Sequence, residues 1–167
     1  MLLGAAPAAA GIAISVEAGR GESVDVWGVG LAWTDLHTWH LGGHVDLSLS
    51  LLGRLDHWHG TEANAAVTDL WDVSATPVLR LQPAERSGVT PFLDVGIGVS
   101  LLSQTSIDSR YLSTHFQFNE LIGPGVRFGG RGQYELSLRV QHTSNGDIKE
   151  PNNGLTFRTI VLQYVFR

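Results

Sequence analysis

Hydrophobic and polar residues alternate along most of this chain with a period of two, the signature of strands that offer one apolar face. Between Trp39 and Asp56 the odd positions read Trp39, Leu41, Gly43, Val45, Leu47, Leu49, Leu51, Gly53 and Leu55. The even ones read His40, Gly42, His44, Asp46, Ser48, Ser50, Leu52, Arg54 and Asp56. Strands of soluble domains run about 5–6 residues and a tilted membrane-spanning strand needs about 9–11, so a run of this length favours a membrane barrel. The same alternation predicts eight strands, over 11–18, 23–33, 39–57, 67–81, 89–101, 115–128, 133–144 and 155–166. The connections alternate too: 34–38, 82–88 and 129–131 are short, 58–66, 102–114 and 145–154 are longer, and only 19–22 breaks the rule. Short periplasmic turns and long outer loops are the habit of outer-membrane barrels, which would place both termini in the periplasm. The fold class read from this pattern is all-β, an eight-stranded antiparallel transmembrane barrel of the outer membrane.

Tryptophan adds an expectation about depth. Trp33 and Trp39 would flank a periplasmic turn, and Trp58 and Trp71 an extracellular loop, as girdle positions. Gly96, Gly98, Gly123 and Gly125 fall on the polar phase and would lie in a narrow lumen, while Pro77 marks a bulge or an unpaired position. Alternation alone leaves a soluble β-sandwich or lipocalin-like barrel open, because it does not say whether the apolar face meets lipid or a second sheet.

Composition changes this picture little. A chain of 167 residues suits one domain, and 43% hydrophobic residues would also serve a soluble core. The only long uncharged stretch, residues 1–16, is rich in small residues and does not make a spanning helix. Residues 1–10 resemble the tail of a truncated secretory signal, leaving 11–167 as a single barrel domain. The chain has no cysteine, and its net charge of −5 comes with Lys and Arg dispersed singly, which argues against a nucleic-acid partner.

The candidate chemistry sits at the end of the seventh predicted strand. Its even positions carry Tyr134, Leu136, Leu138 and Val140, and then His142 and Ser144. Continuing that phase points a base and a hydroxyl toward lipid, a placement that costs desolvation unless the groups bond each other or a ligand. A strand end at the membrane boundary is the plain structural account of such a pair. For an oxyanion, donors would come from the loop that follows: the amides of Asn145 and Gly146, or the side chain of Asn152.

The run His142-Thr143-Ser144-Asn145-Gly146-Asp147-Ile148-Lys149-Glu150-Pro151-Asn152-Asn153-Gly154 resembles the signature of the lipid A 3-O-deacylase family, the PagL-type outer-membrane barrels. The likeness extends from about Val24 to Arg167, including the segments 91–98 and 116–120. It implies a hydrolase that removes an ester-linked acyl chain from lipid A, with His142 as general base, Ser144 as nucleophile and no metal or organic cofactor. It also implies lipopolysaccharide and outer-membrane lipids as partners, with a homodimer left open.

One position departs from the family. Thr156 stands where the family pattern has a Glu that orients the histidine, and a hydroxyl orients imidazole without stabilising imidazolium by charge. Pairing strands by sequence places Thr156 beside Ser144, Arg158 beside His142, and Glu120 opposite Val140. Glu120 would then lie diagonal to His142, a possible surrogate acid and equally a polar break in its strand. Asp147 and Glu150 read as solvated loop charges. His37, His40, His44, His57 and His59 lack acidic or thiol neighbours at ligand spacing on one face, so interfacial or loop histidines account for them better than a metal site.

Overall fold

The computed structural model of the chain describes residues 11–166, so the segment read as a signal remnant, residues 1–10, lies outside the described residues. Strands β1 (Gly11–Gly21), β2 (Val24–Leu41), β3 (Val45–Gly60), β4 (Asp69–Pro83) and β5 (Thr90–Leu102) come first. Two short strands, β6 (Ser106–Ile107) and β7 (Arg110–Tyr111), form a small hairpin, followed by β8 (Phe116–Phe128), β9 (Tyr134–Ser144) and β10 (Leu155–Phe166). All but β6 and β7 form one closed antiparallel barrel, sealed where β1 pairs with β10 from Ile12↔Phe166 to Arg20↔Arg158. Closure leaves no unpaired edge, a requirement for a sheet standing in lipid.

The phase read from the sequence is the phase observed. Apolar side chains point outward and uncovered: Ile97 is 67% exposed and Leu138 62%. No second sheet covers that face among the described residues, which rules out the sandwich and leaves a transmembrane barrel. The polar phase fills the lumen with ion pairs. Glu17 accepts from Arg54 at 2.9 Å and from Arg139 at 2.6 Å. Nearer the periplasmic end, Glu135 accepts from Arg80 at 2.7 Å and Arg127 at 2.6 Å, and Arg80 also grips Asp94 at 2.7 Å. These charges are tolerable in a narrow lumen because each is paired and hydrogen-bonded.

Toward the extracellular end the lumen changes character. Trp58 packs against Phe157 at 4.7 Å between ring centroids, the rings tilted by 59°, within an apolar cluster that includes Val26, Leu70 and Leu155. Ile107 and Leu112, from either side of the β6–β7 hairpin, are fully buried in the same cluster. The long loop between β5 and β8 thus folds inward and plugs the mouth.

Two expectations are corrected here. The segment 34–38 is not a turn but an irregularity within β2, where the register shifts between Trp33 and His37 and Asp35 takes a φ of 54°. The chain reverses instead at Gly42 and Gly43, whose φ values of 62° and 81° favour glycine. Leu41 pairs with Val45 across that reversal, so odd residues stay outward on both sides and the alternation runs through the turn unbroken. Trp33 and Trp39 therefore share one strand. Trp58, on the inward phase, is fully buried rather than a girdle residue; Trp27 and Trp71 face outward and flank His57 at 5.1 and 4.8 Å. The glycines of the polar phase do face the lumen, and at Pro77 the β4–β5 pairing skips between Ala75↔Val99 and Val78↔Gly96.

Candidate active site

His142 and Ser144 close the outward face of β9, both half-buried, following exposed Leu136, Leu138 and Val140. Their direction follows from the pleat, since Gln141 and Thr143 between them are buried in the lumen. Thr156 on β10 pairs directly with His142, and its Oγ1 lies 2.8 Å from His142 Nδ1. With Nδ1–H donating to that hydroxyl, Nε2 is left as an acceptor, the form a general base needs.

On the other flank, Glu120 of β8 pairs directly with His142 and is exposed, while Ser144 pairs with Phe118. Both registers differ by two residues from those expected: Arg158 lies opposite Val140, not His142, and Glu120 lies opposite His142, not Val140. The cause at the β8–β9 turn is its length, residues 129–133, with Gly129 at φ 93°, Gly132 at φ 62° and Gly132 N–H donating to Gly129 O at 2.9 Å. A slip of two keeps every side chain on its face, so the phase survived while the neighbours changed. The correction strengthens the site, because it seats His142 between Thr156 and Glu120.

Gly154 closes the signature-like run of the sequence without a role assigned to it there, yet it lies against the pair. Its φ is +58°, and a Cβ built there would stand 2.9 Å from His142 Cε1, 3.2 Å from Nε2 and 3.4 Å from Ser144 Cβ. Imidazole and serine therefore flank one point on the backbone that returns from the loop. A glycine just ahead of a strand, after Asn152 and Asn153, is the hint that could have revealed it.

The loop from Asn145 to Gly154 is held from within and from the neighbouring loop. Asn145 N–H donates to Asn152 Oδ1 at 3.2 Å, and Asn145 Nδ2 donates to Leu112 O at 2.9 Å and Lys149 O at 2.7 Å. Asn152 Nδ2 donates to Asp147 Oδ1 at 3.1 Å. Asn145, expected as an oxyanion donor, thus uses its amides to build the loop. Gly146 has a φ of 61° and sits over the Phe118 ring, with which a Cβ would collide at 3.0 Å. From β7, Tyr111 exchanges bonds with Asn153 (Tyr111 N–H to Oδ1 at 2.8 Å, Asn153 N–H to Tyr111 O at 3.0 Å). Arg110 donates to Gly154 O at 3.4 Å and pairs with Glu22, and Ser113 Oγ donates to Pro151 O at 2.7 Å.

Of the remaining histidines, His57 and His59 meet at one oxygen, Asp69 Oδ1, at 3.4 and 2.8 Å. His40 bonds Asp46 at 2.7 Å. Among the described residues no group of three or more His, Cys, Asp or Glu side chains is placed to hold a metal ion.

A half-buried imidazole, oriented through Nδ1 and flanking a serine on an outer wall, is an arrangement suited to acyl transfer at a lipid surface. The sequence profile of the lipid A 3-O-deacylase (PagL) family matches residues 26–165. The chain belongs to that family. Among PagL relatives, the lipid A deacylase PagL of Bordetella bronchiseptica is 32% identical over 124 residues, covering 74% of this chain and 65% of that protein. The lipid A deacylase PagL of Pseudomonas aeruginosa is 30% identical over 129 residues, covering 77% and 68%. The matched stretch thus spans about two thirds of each relative. A crystal structure described as the outer membrane enzyme PagL superposes with a TM-score of 0.82 at 23% identity, covering 91% of this chain and 98% of that one. The N-terminal barrel domain of Pseudomonas aeruginosa OprF gives only 0.53 at 13% identity, with 93% and 97% covered. The shared architecture with the PagL barrel is therefore closer than eight strands alone would produce.

Proposed function

We propose that this chain, standing in the outer membrane, hydrolyses the 3-O-linked acyl ester of lipid A. The observation that carries this reading is His142, held through Nδ1 by Thr156 and sharing the outward phase of β9 with Ser144, the two side chains lying on either side of Gly154. An ester of outer-leaflet lipopolysaccharide meets that wall where the sugars give way to acyl chains. His142 Nε2 takes the Ser144 proton as Oγ attacks the ester carbonyl. The tetrahedral oxyanion is met by the Gly146 N–H and by the second N–H of the Asn152 amide, the one not given to Asp147. Collapse expels the sugar 3-hydroxyl, which leaves with the proton from His142. Water, deprotonated by the same imidazole, then releases the fatty acid and restores Ser144. No step draws on a cofactor. Thr156 orients the ring, and Glu120, adjacent to His142 on β8, supplies the negative charge that a threonine lacks.

Mass spectrometry of lipid A from Gram-negative cells expressing the chain tests this. Loss of one hydroxyacyl chain is expected with the wild type and not with Ser144→Ala. An unaltered lipid A profile, with folding verified by heat-modifiable gel mobility, would overturn it. A second reading, a lipopolysaccharide-binding barrel without turnover, draws on the absent carboxylate at Thr156, and that unaltered profile would favour it.

A further inference from the structure

We propose that Arg158, with Arg20 beside it, binds a phosphate monoester of lipid A and so anchors lipid A against the wall that carries Ser144. The proposal rests on the deacylase reading above and adds a headgroup site to it. Arg158 and Arg20 are direct partners across the β10–β1 seam, both on the outward phase and both exposed. Like charges placed directly opposite repel, so the pair calls for an anion. Arg20 has one: Asp25 accepts from its Nε at 2.5 Å and its Nη2 at 3.1 Å. Arg158 makes no hydrogen bond or ion pair among the described residues.

Its depth says what could complete it. Continuing outward around the wall from Arg158 and Arg20, the same row holds Asp25, His59 and Asp69. The next outward row toward the periplasm holds Ala18, Trp27, His57 and Trp71. Exposed indoles of that kind mark the membrane interface, so the charged row stands at headgroup level, just below the β1–β2 turn. An unpaired guanidinium at that depth is matched by lipid phosphate, which its planar fork grips in bidentate fashion.

Arg158 is also the outward residue next to Thr156, about 6.6–6.8 Å along the strand. A phosphorylated glucosamine disaccharide gripped there would present its sugar esters one pleat away, at His142 and Ser144. The phosphate could belong to the substrate molecule or to a neighbouring lipopolysaccharide.

Two assays decide. Hydrolysis of lipid A is compared with that of its 1-dephospho and 4′-dephospho forms, in detergent micelles diluted to one glycolipid each and again in bilayers. Loss of one charge-assisted contact at a part-solvated site is worth about tenfold. The wild type should thus prefer a phosphorylated form by about that factor in KM, and Arg158→Gln should collapse the preference, with Arg158→Lys in between. A preference present in dilute micelles assigns the phosphate to the substrate; one that emerges only in bilayers assigns it to a neighbour. Binding is read separately on the Ser144→Ala chain from tryptophan fluorescence as each lipid is titrated in, so the anion site is tested even if no lipid is turned over. Arg158→Gln that leaves the phosphorylated-to-dephosphorylated ratio of Kd unchanged in the folded protein overturns the proposal.

Discussion

The barrel handles charge in two opposite ways on the two sides of one wall. Inside, Glu135 is shared by Arg80, Arg127 and Gln163, and every one of these side chains is locked. Outside, on the neighbouring strand β8, Glu120 is exposed beside a half-buried imidazole. Arg139 and Arg158 repeat the contrast, the first fixed by Glu17 and the second exposed on the outer wall with no ion pair among the described residues. The lesson is a division of labour: the paired groups around Glu17 and Glu135 hold a narrow lumen together, and Glu120 and Arg158 stand on the outer wall where a substrate can complete them.

The contrast is sharpest if the two sides are broken separately. Glu135→Ala removes the acceptor shared by two arginines, and its cost is about 3 kcal/mol, the low end for a buried pair because Arg80 keeps Asp94. Urea titration read by gel mobility should show that loss, with hydrolysis per folded molecule unaltered. Gly154→Ala should do the reverse. Its Cβ would press on His142 at a backbone angle that disfavours alanine, so the deacylation rate should fall by about 10²-fold, the effect of a misplacement near 1 Å. The folded fraction at low urea would stay near that of the wild type.

Smaller effects test how the outer site shares its work. Glu120→Gln should lower kcat by about tenfold, and Thr156→Glu in the same chain should recover it, since the carboxylate then meets Nδ1 itself. If Glu120→Gln changes nothing, the charge on β8 plays no part. Arg110→Gln, which frees the Gly154 carbonyl, should slow turnover about fivefold, the value of one ordinary hydrogen bond of about 1 kcal/mol. Steady-state kinetics on each folded variant separates these from one another.

Much of the lipid face was legible in the sequence because alternation records directly which side each residue takes. His142 and Ser144 were readable as an outward pair for that reason, continuing Tyr134, Leu136, Leu138 and Val140. Register was not legible: the five-residue turn at 129–133 moved Glu120 by two places, and nothing in an alternating pattern changes when a strand slips by an even number. The reversal at Gly42 and Gly43 was hidden by the same blindness to parity. Trp58 misled because its indole suits an interface as well as a core, although its even position in β3 puts it on the inward phase, where it joins Ile107 and Leu112. Gly154 escaped because its importance lies in the space it leaves for two other residues.

That inward-folded hairpin also bears on permeability. Ile107 and Leu112 are seated in one cluster with Trp58 and Phe157, so among the described residues an apolar layer closes the mouth above the ionic lumen. A bilayer holding many copies should stay electrically silent, so a cell could carry this protein in quantity without leaking ions or admitting small toxic solutes through it.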